Sequence, residues 1–311
     1  TRKESSAASD VYKRQIDGCG FDTLDPSDLA NYLLRLKANK PHLATLRDEQ
    51  IYPLMSILKD GKVTLAAEWL FGYYPQAFAP QLCITAVKFF GEEKGALDSE
   101  GNRFEDNKRI EGTIPEMLDE SLAFLRRNLS LSTKIDKQTG KKFDKFDLPI
   151  DAVREVVLNA LVHRDYSIHT EGIPIQVELY SDRLEVSSPG GLYGRLTVDK
   201  LGKVQPDTRN PVLATAMEVL GLTENRYSGI PTVRRAMKQD GKPEPEFIDT
   251  GSEFRVVLRM RAAEIVPGEG FCSAKSDVYT GTAKEQQVLN YCSEPKSRRE
   301  IAEMLNVEEY Y

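Results

Sequence analysis

The chain has 311 residues, 40% hydrophobic and 29% charged, a composition that builds about two globular domains and excludes both a disordered chain and a disulfide-stapled miniprotein. A formal charge of −6 argues against a protein that coats nucleic acid or membrane electrostatically, and the most apolar stretch, Val63 to Leu70, is interrupted by Glu68 and falls far short of the ~20 residues of a membrane span. Cys19, Cys83, Cys272 and Cys292 form no CxxC and no Cys/His pair at zinc spacing, so they read as free thiols of a reducing compartment, and a cytoplasmic protein that avoids membranes is expected.

Thr1 to Gln15 show no apolar periodicity and read as a non-native tail. Leu29, Leu33, Leu34 and Leu36 predict a helix over Pro26 to Lys37. Ile51, Leu54, Met55 and Leu58 predict a second, closed by Asp60-Gly61. Leu82 to Phe90 reads as a strand, and Gly91 to Asn107, charged and without period, as a surface loop. Thr113-Ile-Pro-Glu116 is a capping box that opens a helix running to about Asn128.

Two short extended runs between Leu129 and Phe146 flank Gln138-Thr139-Gly140 and predict a hairpin. Five lysines against two aspartates over Lys134 to Lys145 suit a solvated hairpin or a phosphate-facing lid. A strong helix follows over Ile150 to Arg164, then a hairpin of Ile173 to Tyr180 and Arg183 to Ser187 around Ser181-Asp182. After the glycine-rich stretch Pro189 to Gly194, Asn210-Pro211 predicts a helix start by the N-cap and N1 rule, with Gly221 as its stop. Ser228-Gly229-Ile230-Pro231 opens another helix, ended by Asp240-Gly241, and strands over Pro245 to Asp249 and Glu253 to Arg259 complete the unit.

The fold class expected is α/β (α+β): a mixed or antiparallel sheet with helices on one face, over 129–260, preceded by a smaller α/β segment over 16–128. A linker over 261–281 and the start of a helix-turn-helix over 282–311 follow.

On the helix from Ile150, Val153, Val156, Val157, Ala160 and Leu161 form an apolar stripe. Glu155, Asn159 and His163 recur every four residues beside it, a pattern that alone fits a solvated flank as well as a ligand-facing one. Its context is a carboxylate able to take a proton, a carboxamide able to ligate a hard cation, and later glycine turns and helix starts that suit phosphate.

In order, Glu155-Val-Val-Leu-Asn159-Ala-Leu-Val-His163-Arg-Asp-Tyr166, Ser188-Pro-Gly-Gly-Leu192, Arg209-Asn-Pro211 and Tyr227-Ser-Gly-Ile-Pro231 resemble the ATP-binding domain related to the histidine kinase and gyrase ATPases. The version is the one carried by transcriptional regulators labelled RecG-like or Schlafen AlbA-type. The resemblance runs from about Asp25 to Leu258, and Thr282 to Val307 is similar to the start of their C-terminal winged helix. It implies a fragment lacking the front of the AlbA-like domain and most of the winged helix.

The resemblance implies ATP and Mg²⁺ as ligands. Glu155 would polarise an attacking water and Asn159 would ligate Mg²⁺. Gly190 and Gly191 would form the first glycine box and Gly229, at a helix N-terminus, the second. His163, Arg209 and Ser228 fall within the motifs as further nucleotide-binding positions, and His163 fits capping or packing as well as ligand contact.

Two departures stand out: Val186-Ser187-Ser188-Pro189-Gly190 lacks the aspartate that accepts the adenine amino hydrogen, and Pro231 replaces a glycine N–H. The missing aspartate and the helix-turn-helix start favour a nucleotide- or anion-sensing domain of a DNA-binding regulator over the alternative, an Mg²⁺-dependent ATPase. DNA would be a partner of the longer protein, and homo-oligomers are compatible with such a regulator.

Overall fold

The computed structural model describes residues 14, 18–135, 140, 142–205, 207–223 and 228–261. All of the expected linker over 261–281 beyond Arg261, and the helix-turn-helix over 282–311, lie outside them. Of Thr1 to Gln15 only Arg14 is described; its carbonyl accepts the Leu65 N–H at 2.8 Å and its guanidinium sits 3.0 Å from Glu171.

The N-terminal part is helical. Helix α1 (Pro26–Asn39) starts with Pro26 and is capped by the Asp25 carboxylate, which accepts the Ser27 N–H at 2.7 Å. It buries Leu29, Tyr32, Leu33 and Leu36 and leaves Leu34 in solvent. Two short helices follow, α2 (Pro41–Ala44) and α3 (Asp48–Leu54). The second predicted helix therefore ends before Leu58, and Asp60-Gly61 does not close it. Those two residues, at φ +51° and +76°, form the turn between strands β1 (Leu58–Lys59) and β2 (Lys62–Val63). Two consecutive positive φ values suit a two-residue hairpin, and Asp-Gly tolerates them. Helix α4 (Leu65–Phe71), capped by Thr64, is buried along its whole length.

Strands β3 (Ile84–Phe89) and β4 (Phe104–Ile110) open the main sheet, and helix α5 (Ile114–Asn128) carries the predicted capping box of Thr113 and Glu116. The expected loop over Gly91 to Asn107 thus already contains the first half of β4. Phe104–Ile110 shows no alternation because β4 is an edge strand, where polar side chains blunt unwanted pairing. Strands β5 (Leu131–Ile135) and β6 (Lys142–Phe146) pair antiparallel as the predicted hairpin. Then come α6 (Ile150–His163), β7 (Ile175–Leu179), β8 (Arg183–Pro189), α7 (Pro211–Val219), α8 (Gly229–Gln239), β9 (Glu246–Asp249) and β10 (Glu253–Arg259).

The main sheet has the order β4-β3-β7-β8-β10-β9. Only β3 and β7 run parallel, so the sheet is mixed. Two of its strands come from before residue 129 and four from after it. Register places Ala86, Val177, Val186 and Val256 side by side on one face, with Leu179, Leu184 and Leu258 in the next row. That face meets α5 and α6, and it forms the core with them. The other face carries Glu178, Glu185, Ser187 and Arg255, where Glu185 accepts from Arg183 at 2.6 Å and Arg255 at 3.2 Å, and Lys94 pairs with Glu178 at 2.7 Å. Helices on one face and an ion ladder on the other follow from the period-two alternation of β7 and β8, which β10 continues except at Val257. Among the described residues no helix is long and apolar enough to cross a membrane.

Candidate functional site

Helix α6 is the axis of the site. Eight of its fourteen residues are buried, which anchors it between the sheet and α8 and fixes the direction of the remaining stripe. Glu155, Asn159 and His163 on that stripe face a cleft of about 580 Å³, within the ~300–1,000 Å³ usual for small-molecule sites. Asn159 Nδ2 donates to the Glu155 carbonyl at 2.7 Å and to Glu155 Oε1 at 3.1 Å. With the amide nitrogen so committed, its Oδ1 is left as an acceptor.

The opposite walls come from distant segments: Gly190 and Gly191 after β8, Ser228 and Gly229 at the start of α8, and an apolar floor of Val186, Phe254 and Val256. A β-carbon on Gly229 would stand 2.5 Å from Glu155 Oε1 and 3.1 Å from Asn159 Nδ2, so a larger residue there would push the Glu155 carboxylate aside. The N–H groups of Gly229 and Ile230 belong to the first turn of α8, where helix donors have no partner from the helix itself, whereas the glycine turn differs from expectation. Gly190 N–H donates to Ser252 O at 2.7 Å and Gly191 N–H to Gly251 O at 3.0 Å. Gly190 and Gly191 therefore have no N–H to spare for a phosphate. Its contribution is close approach, at φ +90° for Gly190.

The stretch His163-Arg-Asp-Tyr166 divides by role. His163 opens onto the cleft, yet desolvation by the surrounding protein and, second, the Arg209 guanidinium pull its pKa from 6.5 to about 4. The Arg209 charge acts in that direction however much cleft water reaches the ring, so the imidazole is neutral at pH 7. Arg164 is buried and donates to the carbonyls of Thr170 and Ile173 at 3.0 and 2.5 Å. Tyr166 donates to Leu161 O at 2.7 Å from within the core. Asp165 accepts the Ser167 N–H and lies 3.8 Å from Arg209.

Of the eight positions singled out in the sequence, Glu155, Asn159, His163, Gly190, Gly191, Ser228 and Gly229 meet on the cleft. Arg209 does not line it. It lies behind the glycine turn and donates from Nη2 to Gly191 O at 2.9 Å. Asn210 also departs from its predicted role. Its side chain makes no N-cap bond for α7; instead Nδ2 donates to Val162 O at 2.9 Å and Arg164 O at 2.7 Å, closing the end of α6. The cleft also takes in Asp151, Arg154, Ser188, Asp207 and Arg235. Asp151 was within reach of the sequence, since it extends the four-residue spacing of Glu155 and Asn159 one turn earlier. Asp207 and Arg235 carry no such signal.

Residues 172–258 match the family described as "Putative ATP-dependent DNA helicase recG C-terminal". The match spans the sheet from β7 to β10 with α7 and α8, an ATPase-like domain, and stops short of α6. The fold is similar to that of the DIP2311 protein from Corynebacterium diphtheriae, with a TM-score of 0.59 at 23% identity over 80% of this chain. The chain spans about half, 47%, of that solved chain. None of the curated proteins matches.

The donors present fit Mg²⁺. A carboxamide oxygen beside one carboxylate suits an ion that prefers a few protein oxygens and completes its shell with water and substrate phosphates. Among the described residues no group of three or more His, Cys, Asp or Glu side chains forms a denser metal cluster.

Proposed function

We propose that the cleft binds ATP with Mg²⁺ and that the chain is the nucleotide-sensing part of a cytoplasmic, DNA-binding transcriptional regulator of the RecG-like or Schlafen AlbA type. The observation that carries this is the convergence of Glu155, Asn159, His163, Gly190, Gly191, Ser228 and Gly229 on one cleft. Asn159 would hold Mg²⁺, which when bound neutralises phosphate charge. The start of α8 points N–H groups and the positive end of its dipole at an anion. Val156, Ala160, Val186 and Val256 give the cleft an apolar stretch that would suit a flat ring, and Ser188, which also lines it and whose hydroxyl donates to Ala160 O at 3.1 Å, keeps its lone pairs as acceptors. An acceptor at that place suits an amino group and supplies part of what the missing aspartate would have given. DNA contact would be made by the longer protein, through the winged helix that begins in 282–311.

A second reading, an Mg²⁺-dependent ATPase, is favoured by Glu155 itself. The carboxylate sits beside Asn159 at the start of α8, where it would take the proton of a water attacking the terminal phosphate. Mg²⁺-ATP binding and phosphate release in the wild type, Glu155→Ala and Asn159→Ala separate the two. A sensor binds Mg²⁺-ATP without turnover above background and loses binding in Asn159→Ala. An ATPase loses ~10²–10⁴ in turnover in Glu155→Ala while still binding. Absence of binding by the wild type refutes both.

A further inference from the structure

Arg209 is an incompletely satisfied cation set one backbone layer behind the cleft. Its side chain keeps 13% of its exposure, and Nη1 is buried with no hydrogen-bond acceptor. The nearest carboxylate oxygen, Asp165 Oδ2, lies 3.8 Å away, beyond hydrogen-bonding reach, while Oδ1 of the same group is taken by the Ser167 N–H at 2.9 Å. The ring of Tyr193, 5.4 Å from the guanidinium carbon, adds a weak cation–π contact. A charged donor left in this state costs free energy unless a further anion compensates it.

The position of Gly190 makes the cleft side the place for that anion. Gly190 lines the cleft, and a β-carbon on it would collide with Arg209 Nη1 and with Asp165 Cβ. The guanidinium therefore presses on the main chain of Gly190 itself. Its charge is felt on the cleft side, where it helps hold His163 neutral. Among the described lining residues Asp151, Glu155 and Asp207 are acidic and Arg154 and Arg235 basic, and Asp207 is already paired with Arg195 at 3.4 Å, so the wall holds no surplus of positive charge. Such a wall does not by itself collect phosphate. Gly190 and Gly191 offer no free N–H either, since Ser252 and Gly251 accept both.

We propose that Arg209 sets the charge specificity of the cleft: from behind Gly190 it holds the phosphate part of a nucleotide against the glycine turn, and it thereby separates nucleotides from neutral nucleosides. It is a positioning residue, acting through Gly190 and Gly191. The proposal rests on reading the cleft as a nucleotide site.

Calorimetric titration of the full chain with ADP and with adenosine tests it. Arg209→Met should weaken ADP binding by about tenfold or more, the size of one charge acting over several ångströms of protein, and leave adenosine within about twofold. Arg209→Lys should keep most of the ADP affinity, because the charge remains although the planar fork is lost. Asp165→Asn, which removes the competing carboxylate but keeps an acceptor for Ser167, should tighten ADP and leave adenosine alone. Equal losses of ADP and adenosine in Arg209→Met, unchanged ADP in that variant, or no gain in Asp165→Asn would each overturn the proposal. If the wild type binds neither compound, the nucleotide reading fails. Titration with inorganic pyrophosphate then decides for Arg209: binding abolished by Arg209→Met sustains the role, and absence of binding ends it.

Discussion

The Glu155 carboxylate and Gly229 approach so closely that a β-carbon on residue 229 would stand 2.5 Å from Oε1. The first turn of α8 and the polar stripe of α6 therefore meet at this end of the cleft. Gly229→Ala should keep the fold, because the atom it meets is the far end of a flexible side chain and alanine favours a helix by ~1 kcal/mol over glycine. It should nonetheless displace Glu155 and weaken Mg²⁺-ATP binding. A thermal melt together with a nucleotide titration checks this. A variant that binds as the wild type does would show that the contact has no part in ligand binding.

Asn210 ties two segments through one amide. Its Nδ2 serves Val162 O and Arg164 O, and the residue is 1% exposed. Asn210→Ala strands both carbonyls and should cost about 1–3 kcal/mol in urea denaturation. Asn210→Asp should do at least as much harm, since a carboxylate would face the same carbonyls.

How far the sequence was legible depended on the range of the interaction that shaped each element. Helix α6, the β7–β8 hairpin and the capping box at Thr113 follow from spacing within a dozen residues, and they appear where the pattern puts them. Strand β4 was hidden because an edge strand keeps no apolar alternation. Asp60-Gly61 reads equally as a helix stop or a hairpin turn, and only pairing of Leu58 with Val63 decides. For the candidate site, the stripe of Glu155, Asn159 and His163 is local and readable. The occupation of the Gly190 and Gly191 N–H groups by the β10 side of the sheet, and the burial of Arg209 behind them, arise from tertiary pairing that no local spacing encodes. Asn210 shows the same limit: an N-cap signature was present, but a buried helix end competed for the amide and won.

Glu68 on α4 offers a pH test outside the cleft. It is 0% exposed, accepts the Thr23 hydroxyl at 2.8 Å, and has its pKa raised above 4.5 by burial, with Thr23 and Cys19 opposing. The Cys19 thiol, pushed up to about 12 by burial and by Glu68, stays a donor throughout. A raised carboxyl pKa means that the folded state binds the proton more tightly than the unfolded state. Stability from this group is present below pH 4.5 and falls as pH rises through the folded pKa. Glu68→Gln should therefore flatten the decline of stability on the alkaline side, as read by urea denaturation at pH 5 and pH 8. Identical slopes in the two proteins would contradict the shift.

His163 carries the opposite sign. Its folded pKa of about 4 lies below the ordinary 6.5, so between those values the unfolded chain takes a proton that the folded one refuses. The contribution of this group to stability is full above pH 6.5 and is lost as pH falls towards 4. The chain has three histidines, His42, His163 and His169, few enough for each ring to be followed in an NMR titration. The His163 resonance should titrate near 4, and Arg209→Met should move it towards 6.5 because one of its two causes is removed. A ring that titrates at 6.5 in the wild type would show that Arg209 is not felt across Gly190. A phosphate-bearing ligand should raise the His163 pKa in the wild type, since a nearby negative charge favours the imidazolium, whereas adenosine should leave it where it was.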